Sequence, residues 1–189
     1  MDATLGYLTA LGLSTAAGLN AWIPLLAVGL LSRFTDLLAL DRPWDVLENP
    51  LVLGALGVVA LADFVGDKVP AVDHALHVAG LVIAPVTGVV ASLAATGTLD
   101  VSAAIVVTIS IVAAELTQGA RTAARPVSTA LTGGAGNPVV SLGEDGVSGL
   151  LSFAAIAVPV VAFVLVLVLG LAAWLAIRRV RRSRRGTVG

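Results

Sequence analysis

The feature that most constrains this chain is a series of five apolar stretches, each long enough to cross the hydrocarbon core of a membrane. A helical crossing takes about 20 residues. The stretches cover residues 5–31, 51–69, 77–97, 101–118 and 147–177. A backbone in lipid must satisfy its own hydrogen bonds, so we expect all five to be α-helices. The sequence therefore predicts an all-α, polytopic transmembrane helix bundle of about five spans.

Composition favours a membrane protein and excludes an ordinary soluble domain. Hydrophobic residues make up 58% of the chain and charged residues only 12%, whereas about 25% of the residues in a typical soluble domain are charged. Cysteine is absent, which excludes disulfides and thiolate metal sites. We divide the chain into a transmembrane helical domain, residues 1–177, and an arginine-rich tail, residues 178–189.

Three segments carry further signals. The N-terminal stretch lacks the basic flank of a signal peptide, so we expect it to remain as the first span. Residues 33–50 combine mixed charge with Trp44, which is typical of a segment at the membrane interface. Residues 125–146 are rich in Gly, Ser, Thr and Pro but too apolar for a free loop. We expect a re-entrant or interfacial segment there, because the run 133–138 should not form a stable helix.

Basic residues predict the orientation, because they are enriched on the cytoplasmic side of spans. Six of the eleven Lys and Arg residues lie in the tail, so we expect the C-terminus in the cytoplasm. Five spans then place the N-terminus outside, with eight basic residues inside and Lys68, Arg121 and Arg125 outside. The connection that contains Lys68 is extracytoplasmic in this scheme. The tail is also a candidate for contact with anionic lipid.

A first cluster of polar residues surrounds the end of the second span. Asp63 and Asp67 are four residues apart, as are Asp73 and His77, so each pair shares a helix face. An Asp–His pair suits proton transfer, because the carboxylate orients the imidazole. It equally suits a divalent cation, for which Asp67, Asp73 and His77 are candidate ligands. The alternative is a solvated turn at the membrane face, which also fits Lys68.

Two further groups complete the candidate residues. Glu115, Gln118, Arg121 and Arg125 are spaced to form one polar helical stripe, which should face the bundle interior or a water-filled cavity. Asn20 is deep in the first span between Gly18 and Pro24, where a distorted helix could expose backbone groups. The acids Glu144 and Asp145 precede the predicted fifth span, where they suit a helix cap.

Several of these residues belong to stretches that resemble a known family. The stretches are 17–21 (AGLNA), 63–70 (DFVGDKVP) with Asp73 and His77, Pro85 with Gly88, 121–125, and 141–145. Together they resemble the bacterial membrane-protein family catalogued as domain of unknown function 4126. The motif Asp-Lys-x-Pro-x-x-Asp, residues 67–73, is the most specific part. The resemblance implies a small polytopic protein of the bacterial cytoplasmic membrane, and it implies no established activity.

Three functions remain open from the sequence. The first is a transporter-like or channel-like protein for an ion or small polar solute. The others are a membrane enzyme acting on a lipid or phosphorylated substrate, and a structural subunit. The lipid bilayer is the expected partner, a homo-oligomer is compatible with so small a chain, and neither a nucleic acid nor a particular cofactor is indicated. The candidate solute-binding residues are Asn20, Asp63, Asp67, Lys68, Asp73, His77, Glu115, Arg121 and Arg125.

Overall fold

The computed structural model of the chain describes residues 2–66, 70–133 and 136–185. Within these ranges it describes the side chains outside 70–75, 77, 124–132, 177 and 180–185. The described part contains seven α-helices and one short 3-10 helix, and the predicted all-α bundle is confirmed. The α-helices are α1 (Ala3–Leu19), α2 (Ile23–Phe34), α3 (Pro50–Gly66), α4 (Pro70–Thr96), α5 (Ala103–Thr132), α6 (Asn137–Ala157) and α7 (Pro159–Arg185), and the 3-10 helix is Trp44–Glu48.

Helix α1 is the centre of the bundle, and α4, α5, α6 and α7 all pack on it. Its buried residues are mostly small, which lets neighbouring backbones approach closely. Hydroxyl groups join the same interfaces. Ser14 Oγ and Ser92 Oγ are 2.9 Å apart, Ser148 Oγ donates to the carbonyl oxygen of Ala16 at 2.9 Å, and Thr9 Oγ1 donates to that of Ala155 at 2.9 Å. The core is therefore held by close packing of small side chains together with buried hydroxyl bonds.

The contacts of α1 establish the direction of its neighbours. Gly6, near its start, approaches Thr96 at the end of α4 and Val101 just before α5. Gly18, near its end, approaches Thr117 in the middle of α5. Helix α5 thus runs parallel to α1, and α4 runs antiparallel to both. We call the end of the bundle toward which α1 points the turn end, and the end with residues 97–101 the opposite end.

The predicted first span is two helices rather than one. Residues 20–22 between α1 and α2 are not helical. Helix α2 then returns toward the opposite end, because Arg33 Nη1 donates to the carbonyl oxygen of Glu48 at 2.8 Å. The 3-10 helix that contains Glu48 also places Trp44 beside Gly97. Helices α1 and α2 therefore form a hairpin whose turn, residues 20–22, points to the turn end.

The hairpin is too short to cross a membrane and return. Helices α1 and α2 have 17 and 12 residues, or about 25 and 18 Å at 1.5 Å per residue, against a hydrocarbon core of about 30 Å. Helix α5 continues from Thr117, beside the end of α1, to Thr132. The turn of the hairpin therefore lies inside the bundle, well short of the point where α5 ends.

The predicted fifth span is also divided. Helix α6 ends at Ala157 and α7 begins at Pro159, with Val158 as the cap between them. A methyl group added at Gly12 would lie 2.7 Å from Cβ of Ala155 and 3.1 Å from Cβ of Ala162. Residues seven apart in one helix are separated by about 10 Å, two helical turns. Both cannot meet one point in a continuous helix, so the chain bends sharply at Val158.

Residues 125–146 form less irregular structure than the sequence indicates. Helix α5 extends to Thr132 and α6 begins at Asn137. Gly133 ends α5 in the left-handed conformation, with φ of 62°, which glycine adopts at little cost. Pro138 is in the first turn of α6, where its missing N–H leaves no helical bond unmade. Gly133 and Gly136 thus stand between two helices, and residues 125–132 and 137–146 are helical.

Four segments of the described helices are long and apolar enough to cross a membrane. They are Val78–Thr96, Ala103–Ala123, Asn137–Ala157 and Pro159–Ala176. Helices α1, α2 and α3 are shorter apolar helices. These lengths, together with the composition, indicate a multi-pass membrane protein.

A substitution at Gly18 tests the close packing of α1. Its added methyl would lie 2.6 Å from both the carbonyl oxygen of Ala114 and Cβ of Thr117. We expect Gly18→Ala to destabilise the protein by about 1–3 kcal/mol, a typical cost of overpacking. Gly54→Ala is the matched control, because Gly54 is also helical and nothing lies within 4 Å of its added methyl. Thermal unfolding in detergent should show a lower Tm for Gly18→Ala and no lower Tm for Gly54→Ala. If both substitutions changed Tm equally, the close packing described at Gly18 would be contradicted.

Candidate functional site

The side chain of Asn20 joins three parts of the chain at the turn of the hairpin. Asn20 is 3% exposed. Its Oδ1 accepts hydrogen bonds from the backbone N–H groups of Trp22 and Ile23, at 3.0 and 3.2 Å. Its Nδ2 donates to Asp145 Oδ1 at 2.9 Å and to Asp63 Oδ2 at 3.3 Å. A carboxamide has two N–H donors and two acceptor lone pairs, so these four bonds use its full capacity.

The local sequence explains why the helix stops and restarts at this residue. Asparagine is favoured where backbone N–H groups lack helical partners, because its side-chain oxygen can accept hydrogen bonds from N–H groups a few residues on. Pro24 follows in the first turn of α2, where its missing N–H costs no helical bond. Asn20 thus ends α1, accepts from the N–H groups of Trp22 and Ile23 at the start of α2, and holds one carboxylate from α3 and one from α6.

A second polar contact connects α5 to α6. Arg121 Nε donates to Glu144 Oε2 at 2.6 Å, and the two side chains are 9% and 14% exposed. Charge-assisted bonds of this kind are short and strong when both groups are withdrawn from water. Glu144 and Asp145 are neighbours in sequence, so one turn of α6 contacts both Arg121 and Asn20.

A small cavity of about 50 Å³ lies beside these contacts. A water molecule needs about 10–15 Å³ by this measure, so the space accommodates roughly three or four water-sized groups. Its polar wall consists of Asp63, Gln118 and Arg121. The rest of the lining is apolar or aromatic and comprises Ala17, Ala21, Trp22, Leu76, Gly80, Ile83 and Ala84. The cavity is thus bordered by the hairpin turn and by helices α3, α4 and α5.

Gln118 is the most deeply buried polar residue of this wall. It is 2% exposed, and it faces Gly80 of α4. A methyl group added at Gly80 would lie 2.5 Å from Nε2 of Gln118. The glycine therefore provides the space that the carboxamide occupies between α4 and α5.

The structure brings together three of the predicted site residues, Asn20, Asp63 and Arg121. Glu115 belongs to the same helix as Arg121 but is half-buried outside the cavity lining. Asp67 and Lys68 lie outside the described residues, and the side chains of Asp73, His77 and Arg125 lie outside the described side chains. The predicted metal ligands Asp67, Asp73 and His77 are all in these groups. Among the side chains that the structure describes, no group of three His, Cys, Asp or Glu could hold a metal ion.

Glu144 and Asp145 are site residues that the sequence did not predict as such. We expected them to cap a helix that begins near Val147. Helix α6 begins ten residues earlier than that, at Asn137, so both acids are two turns inside it and point toward α5 and the hairpin turn. Their consecutive positions within a helical stretch, where charges are costly in lipid, were the signal available.

A substitution at Asn20 tests its role in the hairpin turn. Asn20→Ala leaves two backbone N–H groups and two carboxylates without their shared partner, and we expect a loss of at least about 2 kcal/mol. Asn20→Asp keeps the two acceptor bonds but brings a third carboxylate to Asp63 and Asp145, so it should also destabilise. In the control, Asn49→Ala, the exposed bond that the backbone N–H of Leu51 donates to Asn49 Oδ1 is lost, at a cost of about 1 kcal/mol or less. Thermal unfolding in detergent should give a lower Tm for both Asn20 variants than for Asn49→Ala. An Asn20→Ala protein as stable as Asn49→Ala would contradict the role of Asn20 in the hairpin turn.

Comparisons with known proteins agree with the sequence resemblance. No curated protein and no solved structure matches the chain. The match to a family covers residues 7–179, which include most of α1 and α7, all of the helices between them and each residue of the cavity. The chain belongs to the family described as a domain of unknown function (DUF4126).

Proposed function

We propose that this protein is a transporter-like or channel-like membrane protein that moves an ion or small polar solute through the cavity beside Asn20. The observation that best supports this proposal is the position of Asn20. Asn20 holds two carboxylates, those of Asp63 and Asp145, at a helix break inside the bundle, and carboxylates are costly inside a membrane bundle. Polar groups retained at such a cost usually mark a functional pathway.

The helix break supports the same function. Transporters often build their solute sites from interrupted helices that meet inside the membrane, where exposed backbone groups and polar side chains replace water. Here the hairpin turn lies within the bundle and borders a cavity with Asp63, Gln118 and Arg121 in its wall. Such a wall offers hydrogen-bond donors and acceptors to a solute that has lost its hydration.

We propose further that the turn end faces the cytoplasm. Outside the tail, the described segments of the turn end contain Arg121 and Arg125, while those of the opposite end contain Arg33 and Arg42. Helix α7 bends back at Val158, so the six tail arginines join the turn end, and the count becomes eight against two. Helices α3 to α7 then alternate in direction between the two ends, and the N-terminus, on the side of residues 96–101, lies outside. The end of α3 and the start of α4 become cytoplasmic, the reverse of the sequence expectation, because the hairpin does not count as a crossing.

Single cysteines test this orientation cleanly, because the natural chain has none. We expect Thr98→Cys, at the opposite end, to react with a membrane-impermeant maleimide added to intact cells. Gly136→Cys, at the turn end, should react only after the membrane is permeabilised. The unmodified chain controls for background labelling. The reverse pattern would show that the turn end is extracytoplasmic.

A cavity-filling substitution tests the pathway. Purified protein in liposomes is assayed with sodium, potassium, chloride, urea and glycerol, using ion-sensitive dyes or light scattering after an osmotic step. We expect at least one solute to cross faster than in empty liposomes. Gly80→Leu places its side chain where Gln118 lies and should reduce that flux to the level of empty liposomes. Gly54→Leu, on an open helix face, should leave it unchanged.

A second variant covers the case in which Gly80→Leu fails to fold. Ala21 borders the cavity, and Ala21→Cys adds only a thiol group. A small methanethiosulfonate reagent should block flux through Ala21→Cys and leave the cysteine-free protein unaffected. Protein that carries none of the five solutes, or that conducts equally with the cavity filled, would contradict transport through this site.

A further inference from the structure

One buried serine of the core has no hydrogen-bond partner among the residues that the structure describes. Ser110 of α5 is 0% exposed, and its hydroxyl oxygen has no partner there. Buried hydroxyls on helices commonly donate to the carbonyl oxygen four residues earlier, as those of Thr96 and Ser152 do. Because an unpaired hydroxyl inside a core is unfavourable, Ser110 marks a place where an incoming hydrogen-bonding group would be stabilised.

Ser110 is level with Ser14 of α1. Helices α1 and α5 run parallel, and Gly18 of α1 approaches Ala114 of α5. Ser14 is four residues before Gly18. Ser110 is likewise four residues before Ala114, so equal steps along the two helices place both serines at the same height in the bundle. Residues four apart share one face of a helix, so Ser110 is on the face of α5 that packs on α1.

Gly88 of α4 is at this height as well. Helix α4 runs antiparallel to α5, and Gly80 of α4 meets Gln118 of α5. Gly88 is eight residues after Gly80. Ser110 is eight residues before Gln118, so these steps again reach one level. We call this level the serine layer and define it as Ser14, Gly88 and Ser110.

Gly88 leaves a methyl-sized space in the serine layer. A methyl group added there would lie 3.4 Å from Cβ of Ala17 and 3.5 Å from Cβ of Ser14. These are ordinary van der Waals distances, so the methyl group would fill the space without the overlap that it would have at Gly18 or Gly80. Ala17 also lines the cavity. The space is therefore next to the cavity, on the side of the opposite end.

The hydroxyl of Ser14 can accept further hydrogen bonds. It is 2.9 Å from that of Ser92, and Ser92 Oγ donates to the carbonyl oxygen of Ala10 at 3.2 Å. A hydroxyl has one proton and two lone pairs, so these two bonds use both protons but only one lone pair, which belongs to Ser92. Ser14 thus keeps its lone pairs for an incoming group, and Ser110 keeps a proton to donate to that group.

From the buried hydroxyl of Ser110 and the space at Gly88 beside the cavity, we infer that the serine layer is a second site on the route of the solute. It holds a small group that both donates and accepts hydrogen bonds, either a water molecule or a polar group of the solute. The route continues from the cavity toward the opposite end between α1, α4 and α5. The inference rests on the proposed transport function and adds the direction of the path.

A single methyl group tests the site in the liposome flux assay with the full-length protein. Gly88→Ala fills the space without overlap and replaces a helical glycine by a better helix former, so Tm in detergent should not fall. We expect it to reduce the flux of the carried solute to the level of empty liposomes. Gly54→Ala adds the same methyl group on an open helix face and should leave the flux unchanged.

A second variant removes the hydroxyl alone. Ser110→Ala breaks no hydrogen bond to the described part of the chain, so Tm should not fall. The flux should fall about fivefold, the effect of losing one hydrogen bond of typical strength. Ser152→Ala is the matched control, because Ser152 is equally buried and its hydroxyl bonds within α6. It should leave the flux unchanged.

Osmotic water permeability separates the two occupants. Shrinkage of the liposomes in sucrose is followed by light scattering. If water occupies the serine layer by itself, the protein raises water permeability above that of empty liposomes, and Gly88→Ala and Ser110→Ala both lower it. If the layer holds only a polar group of the solute, water permeability stays at the level of empty liposomes while solute flux falls in both variants.

Two results would count against the inference in different ways. Unchanged solute flux in Gly88→Ala or Ser110→Ala, while the cavity variants still block it, would overturn the serine layer and leave the transport function standing. If the unmodified protein carries none of the five solutes, the serine layer and the transport function fail together.

Discussion

The backbone break between α1 and α2 is the constraint on which the rest of the site depends. A chain that reverses inside a helical bundle leaves N–H groups that no helix satisfies and that water does not reach. Asn20 bonds to those of Trp22 and Ile23 through its oxygen. Its nitrogen must then find acceptors of its own, and it finds the carboxylates of Asp63 and Asp145. The hydrogen bonds needed at this one turn thus bring α3 and α6 to it.

Small residues along α1 make this arrangement possible. Gly12 and Gly18 allow α6, α7 and α5 to approach closely, and buried serine hydroxyls bond across the same interfaces. In lipid, helices gain little from burying apolar surface against one another, so close packing and hydrogen bonds between helices supply the association energy. The cavity lies beside this tight core, and in its wall Gln118 occupies the space that Gly80 leaves open.

The sequence predicted the membrane class and the positions of most helices. Three of its candidate site residues, Asn20, Asp63 and Arg121, lie together in the structure, and their function stays a prediction. The sequence could not predict that the first apolar stretch reverses, because a long apolar run is the same whether it crosses or turns back. The sequence does contain a signal for the bend at Val158. A stretch of residues 147–177 is about 46 Å long as a helix, more than one crossing needs, and the residue before Pro159 disfavours helical geometry. The predicted cap role of Glu144 and Asp145 is wrong, because α6 begins at Asn137 and not near Val147.

The short hairpin also has a consequence for how the chain is assembled in the membrane. Helix α2, with 12 residues, is too short to be held across a bilayer by its own hydrophobicity. The partners that hold its turn, Asp63 and Asp145, are synthesised 43 and 125 residues after Asn20. The hairpin is therefore made long before the helix that completes its turn. Its set of hydrogen bonds can close only after α6 has been made and contributes Asp145.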